Sequence, residues 1–182
     1  MTSAGKNFKI LRRRCERIAR RLPLPRPYDT RRLCALLAAE RGRPIRLLEL
    51  PGEDEMFGAW LATDDADLIF YKPETTPPHQ DHIILHELSH VICGHQTAAA
   101  PQDQRHLIFP SLSPELVRSM LRRSTYWSEE EQEAELLASL IWLRSCKESG
   151  AGATGASTVR RVDAMLAWSK DNAVACDPAR LG

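Results

Sequence analysis

No apolar run in the sequence approaches the roughly 20 residues that a bilayer requires, so a membrane-spanning helix is not expected. The basic residues Lys6 and Lys9 lead straight into Leu11-Arg12-Arg13-Arg14-Cys15 without an apolar stretch, so no secretory leader is expected and the reading is cytoplasmic. There is no CxxC pair, which removes a zinc knuckle and a redox dithiol from consideration. The five cysteines (Cys15, Cys34, Cys93, Cys146, Cys176) are odd in number and scattered, and are expected to be reduced, mostly buried thiols. No aromatic residues interleave with the basic ones, and no DNA-binding motif, internal repeat or second core is visible.

What is present is an ordinary globular composition: 182 residues, 43% hydrophobic and 27% charged, enough for one domain with a proper core. The net charge of +1 conceals an asymmetry, since residues 1–50 carry 14 Lys/Arg against 4 Asp/Glu and the remainder 11 against 20. A basic N-terminal arm could meet nucleic acid or an acidic protein partner, or pair with the acidic part of its own chain.

Helical periodicity runs over 7–22, with Phe8, Leu11, Cys15 and Ile18 as an apolar stripe. Pro23, Pro25 and Pro27 break it. Asp29 is an N-cap for a helix over 30–41 that stops at Gly42. Strands are expected at 45–50, 57–62 and 67–71, the last two joined as a hairpin through Thr63-Asp64-Asp65-Ala66. Further helices are expected over 79–94, 113–123, 128–144 and 157–170, the last after a Gly/Ala linker. The expected class is α+β, mostly helical, with a small antiparallel sheet of about three strands. The expected organisation is a basic helix and connector over 1–26, a central domain over 27–146, and a linker and helix over 147–182 packed on that domain.

The chemistry lies in His86-Glu87-Leu88-Ser89-His90, an HExxH. Four helical residues turn about 400°, so the two histidines share a face and both imidazoles can reach one zinc ion. Glu87 projects about 100° away, where it can take a proton from a water on the metal without displacing a ligand. The flanking Ile83, Ile84, Leu85, Leu88, Val91 and Ile92 make this a buried helix. A third ligand is sought in the acidic segment 128–138, where Glu131, Ala134, Glu135 and Ala138 share a face. Glu131 is the first choice, with Glu130 and Glu135 as alternatives, and the alanines leave room for close approach. Glu131 also completes a capping box with Ser128, the structural explanation for its presence. Glu135 could accept the free ring N–H of His86 or His90. His82, one turn before His86, is on the metal-facing side as a helix-start residue or a site-orienting one. His79 and His95 receive no role, and His106 and Tyr126 are weaker candidates for a transition-state donor.

This pattern resembles the ImmA/IrrE metallopeptidases, in the version found in actinobacteria. Their hallmark is HExxH followed by a helix with a glutamate, an alanine three residues on and another four beyond, here His86, Glu87, His90, Glu131, Ala134 and Ala138. The resemblance covers roughly 28–145, with its specific part in 82–138. Ser89, Glu135 and Leu137 depart from the usual Gly, Asn or Asp, and Phe, and the interval from His90 to Glu131 is long. The resemblance implies a zincin-like fold, zinc on His86, His90 and Glu131, Glu87 as catalytic base, and a cytoplasmic regulatory role. The implied substrate is a helix-turn-helix transcriptional repressor, cleaved or released. The competing expectation is a non-proteolytic, metal-containing binding module, an anti-repressor or a toxin–antitoxin component.

Overall fold

The computed structural model describes residues 3–51, 57–95 and 128–148. They form helices α1 (Ser3–Arg21), α2 (Thr30–Arg41), α3 (Pro77–Cys93) and α4 (Ser128–Glu148), and strands β1 (Ile45–Glu49), β2 (Gly58–Ala62) and β3 (Asp67–Tyr71). The class is α+β with a small three-stranded sheet, as the periodicities imply. The expected helices at 113–123 and 157–170, the Gly/Ala linker, His106 and Tyr126 lie outside the described residues.

Local chemistry sets the boundaries. The Asp29 carboxylate accepts the Arg32 N–H at 2.7 Å and caps α2, while Gly42 takes the left-handed conformation (φ 63°) that ends it. Pro77 and Pro78 occupy the first turn of α3, where their missing N–H groups have no intrahelical partner to lose. Gly94 (φ 70°) stops α3 in the same left-handed way. The Thr63–Ala66 turn closes the β2–β3 hairpin, with Thr63 N–H on Ala66 O at 2.9 Å and Thr63 Oγ1 accepting the Ala66 N–H at 3.0 Å.

The sheet order is β1-β3-β2, with β3 buried along its whole length. One pairing differs from the expected antiparallel sheet: β2 is antiparallel to β3, but β1 runs parallel to it, so the sheet is mixed. A hairpin turn fixes the direction of β2 locally, whereas β1 finds β3 through a non-local pairing that no turn between them dictates. Asp67 at the start of β3 is buried at 1% exposure, and its charge is met by Trp60 Nε1, Arg41 Nη1 and Arg43 Nε at 3.1, 2.8 and 3.2 Å.

Helix α3 is the central element, packed on β2 and β3 and on α4, and α1 also packs on α4. Ile84, Leu85 and Leu88 of α3 and Leu137 and Ile141 of α4 are fully buried between these layers. Burial of each such side chain stabilises the fold by roughly 1.5–3 kcal/mol. The stripe of α1 runs further along the helix than expected: Cys15, Ala19 and Leu22 join this core, while Phe8 is 42% exposed. Arg144 of α4 donates to the carbonyl of Ala19 in the last turn of α1 and to that of Leu22 just beyond it, which also accepts the Leu24 N–H.

Candidate metal centre

His82, His86 and His90 lie one turn apart on the face of α3 turned toward α4, and Glu131 and Glu135 lie one turn apart on the facing side of α4. Ala134 and Ala138, both 0% exposed, let the two helices approach. Three potential ligand side chains converge. His86 Nε2 and His90 Nε2 are 3.2 Å apart, Glu131 Oε2 is 3.4 Å from the first, and the other oxygen, Glu131 Oε1, is 3.5 Å from the second. A tetrahedral zinc with bonds of about 2.0–2.1 Å requires edges of about 3.3–3.4 Å between its ligands. Each of these separations is close to such an edge, and with one ligand atom taken from each residue the three atoms lie within 4.8 Å of one another, close enough for a single ion. The cluster reaches the surface on the Glu131 side, where Glu131 is 43% exposed and His86 21%, while His90 is 0% exposed.

The hydrogen bonds around the triangle aim the rings. Glu135 Oε2 stands 3.2 Å from His86 Nδ1 and 3.3 Å from His82 Nε2, so one carboxylate steadies both, and Ser139 Oγ reaches its other oxygen at 3.5 Å. His95 is one of the buried polar residues, a position that helical spacing does not reveal. The left-handed turn at Gly94 carries the chain back, so that His95 N–H bonds His90 O at 3.1 Å and its ring meets His90 Nδ1 at 2.8 Å. The only sequence signal for it is a polar residue directly after a glycine helix stop.

Glu87 is buried against β2, where it accepts a hydrogen bond from the Trp60 backbone N–H while its Oε2 has no partner among the described residues. Gly58 makes this approach possible. A Cβ there would collide with Ile83 Cγ2 and lie 3.0 Å from Glu87 Oε1. Spacing and composition gave no hint of this glycine.

Burial opposes a charge on His86, but the carboxylates of Glu131 and Glu135 outweigh it and raise its pKa to about 10. Burial lowers His90 to about 2, with the rings of His86 and His95 adding to the effect. Burial raises Glu87 to about 7; Glu131 adds to this, while His86 and the Trp60 N–H oppose it. For Glu135, burial works against ionisation, but hydrogen bonds from His82 and His86 hold it at about 2. The carboxylates of Glu131 and Glu135 thus favour positive charge at His86.

A second group of donors, Cys93, His95 and Glu133, has its atoms within 4.8 Å of one another behind His90. Burial pushes the Cys93 thiol up to about 12, which disfavours the thiolate a metal needs. No protein-family model, no curated protein and no solved structure matches the chain.

Proposed function

We propose that the chain is a zinc-dependent peptidase with zinc on His86, His90 and Glu131 and Glu87 as its general base. The support is the convergence of His86 Nε2, His90 Nε2 and the Glu131 carboxylate, with the two nitrogens 3.2 Å apart and each within 3.5 Å of a Glu131 oxygen, a spacing suited to one small cation. When bound, zinc supplies Lewis-acid polarisation and lowers the pKa of a coordinated water. His86 and His90 present Nε2 to the cation, and Glu131 closes the triangle from the opposite helix. Glu135 receives the outer N–H of His86 and so fixes which nitrogen of that ring is free to coordinate. Glu87, with one buried oxygen unpartnered, holds a proton-accepting atom beside the site at a pKa near neutrality.

The resemblance to ImmA/IrrE metallopeptidases extends this reading to a cytoplasmic, regulatory enzyme whose substrate is a helix-turn-helix repressor. Free thiols at Cys15, Cys34, Cys93 and Cys146 are consistent with a reducing compartment. Metal analysis of the purified full chain, with His86→Ala, Glu131→Ala and Glu87→Gln variants, tests the proposal. The parent and Glu87→Gln are expected to carry near-stoichiometric zinc, and the two ligand variants to lose it. Cleavage of fluorophore-quenched casein should vanish in all three variants. Retention of zinc by Glu131→Ala would move the third ligand elsewhere, and undiminished cleavage by Glu87→Gln would remove it as the base.

A further inference from the structure

The two histidines of the metal triangle are held from behind in different ways. His86 Nδ1 meets a carboxylate directly, Glu135 Oε2 at 3.2 Å. His90 Nδ1 meets another imidazole, His95 Nδ1 at 2.8 Å, and His95 Nε2 in turn stands 3.3 Å from Glu133 Oε2. His90, His95 and Glu133 are all buried. Arg14 Nε, on the basic N-terminal helix, forms an ion pair with the other oxygen of Glu133 at 3.1 Å.

Proton placement gives this chain a direction. Coordination through His90 Nε2 uses that lone pair, so the single proton of the neutral ring sits on Nδ1. It is donated to His95 Nδ1, which must accept it and therefore carries its own proton on Nε2. That proton is donated to Glu133, whose charge Arg14 balances. We propose that His95 and Glu133 are positioning residues that fix the tautomer and ring orientation of His90 for metal binding, with Arg14 anchoring them from α1. The proposal rests on the metal-site part of the proposed function and not on peptidase activity.

The same geometry decides against a second cation on Cys93, His95 and Glu133. A cation on His95 Nε2 would move the His95 proton to Nδ1, facing His90 Nδ1. A contact of 2.8 Å accommodates one proton between the two nitrogens, so His90 would have to carry its own on Nε2 and leave the first site. With neutral rings the two groups exclude each other, and the chain is expected to bind one zinc ion.

Zinc affinity of the full chain, measured by competition with a chromophoric chelator, is the readout, because it does not depend on turnover. His95→Ala is expected to weaken zinc binding by about 10–100-fold and Glu133→Gln by a similar or smaller factor, the range typical of groups that orient metal ligands. Arg14→Ala should act in the same direction by a smaller factor. His95→Asn, whose side-chain oxygen can accept the His90 Nδ1–H, should recover most of the loss. In long-range nitrogen–proton NMR spectra of the zinc-loaded parent, the His90 proton should reside on Nδ1. Zinc binding by His95→Ala, Glu133→Gln and Arg14→Ala at parental affinity would overturn the proposal, and so would two zinc ions per chain with one lost in Cys93→Ser. A parent that binds no zinc would instead sink the metal reading itself. Should His95→Ala fail to fold, Glu133→Gln and His95→Asn carry the comparison.

Discussion

The titratable groups of the site pull stability in opposite directions, and their signs can be worked out one by one. His86 is raised from 6.5 to about 10, so its contribution is full below 6.5 and is lost as pH rises through 10. Glu87 is raised from 4.5 to about 7, so ionising it in the fold costs stability as pH rises across that interval. His90 is lowered from 6.5 to about 2 and Glu135 from 4.5 to about 2, so both contributions fade as pH falls below 6.5 and 4.5 respectively. Between 4.5 and 6.5 the Glu87 and His90 slopes cancel. Metal-free protein should therefore show a stability plateau over that range and decline on both sides, measurable by urea unfolding at a series of pH values. On the proposed coordination zinc would have to displace the His86 proton, so its apparent affinity should rise about tenfold per pH unit below 10. Glu87→Gln removes a buried ionisation and should stabilise the metal-free protein by roughly 1–3 kcal/mol at pH 8, and under the proposed peptidase function it should lower kcat for peptide cleavage by about 10²–10⁴-fold. Of these residues, His86, Glu87 and His90 are readable from spacing, because helical geometry alone puts them together. His95 is not, because its position depends on a reversal of the backbone at Gly94.

The elements that carry these residues meet at two tight contacts. Ala134 and Ala138 are fully buried where α4 meets α3, and their significance is visible in the sequence as small residues sharing a face with Glu131 and Glu135. Ala138→Leu should overpack that seam, destabilise the protein by about 1–3 kcal/mol and weaken zinc binding by prising Glu131 from the histidines. Thermal melting with and without zinc separates the two effects. Gly58 makes the other contact, between β2 and α3, and Gly58→Ala should push Ile83 and Glu87 out of place. A loss of cleavage that exceeds the loss of zinc would identify displacement of Glu87. Nothing local marks Gly58, since it is needed by a neighbour distant in sequence. The parallel partner of β1 was illegible for the same reason, because alternation and propensity specify a strand but not the direction of its neighbour.

Across the whole molecule, the basic helix is part of the body of the protein rather than an appendage. Cys15, Ala19 and Leu22 share one core with Ile84, Leu88 and Leu137, so deleting residues 1–26 should abolish cooperative unfolding, as circular dichroism would reveal. The charge asymmetry pointed to a basic face but could not show its reverse side, because burial of a helix stripe depends on what α4 offers to cover it. A test of nucleic-acid contact that respects this core exchanges the exposed Arg13, Arg17 and Arg20 for Gln. That triple substitution should leave stability within about 0.5 kcal/mol per site.

Two guanidinium clasps tie α1 to α4 from opposite directions: Arg14 reaches from α1 to Glu133, and Arg144 reaches from α4 to the carbonyls of Ala19, in the last turn of α1, and of Leu22 just after it. Because Glu131 rides on the clasped helix, filling the metal site should slow amide exchange in α1, and loosening α1 should make the site release its ion faster. The first turn of α4 and the far end of the N-terminal helix would then breathe as one unit.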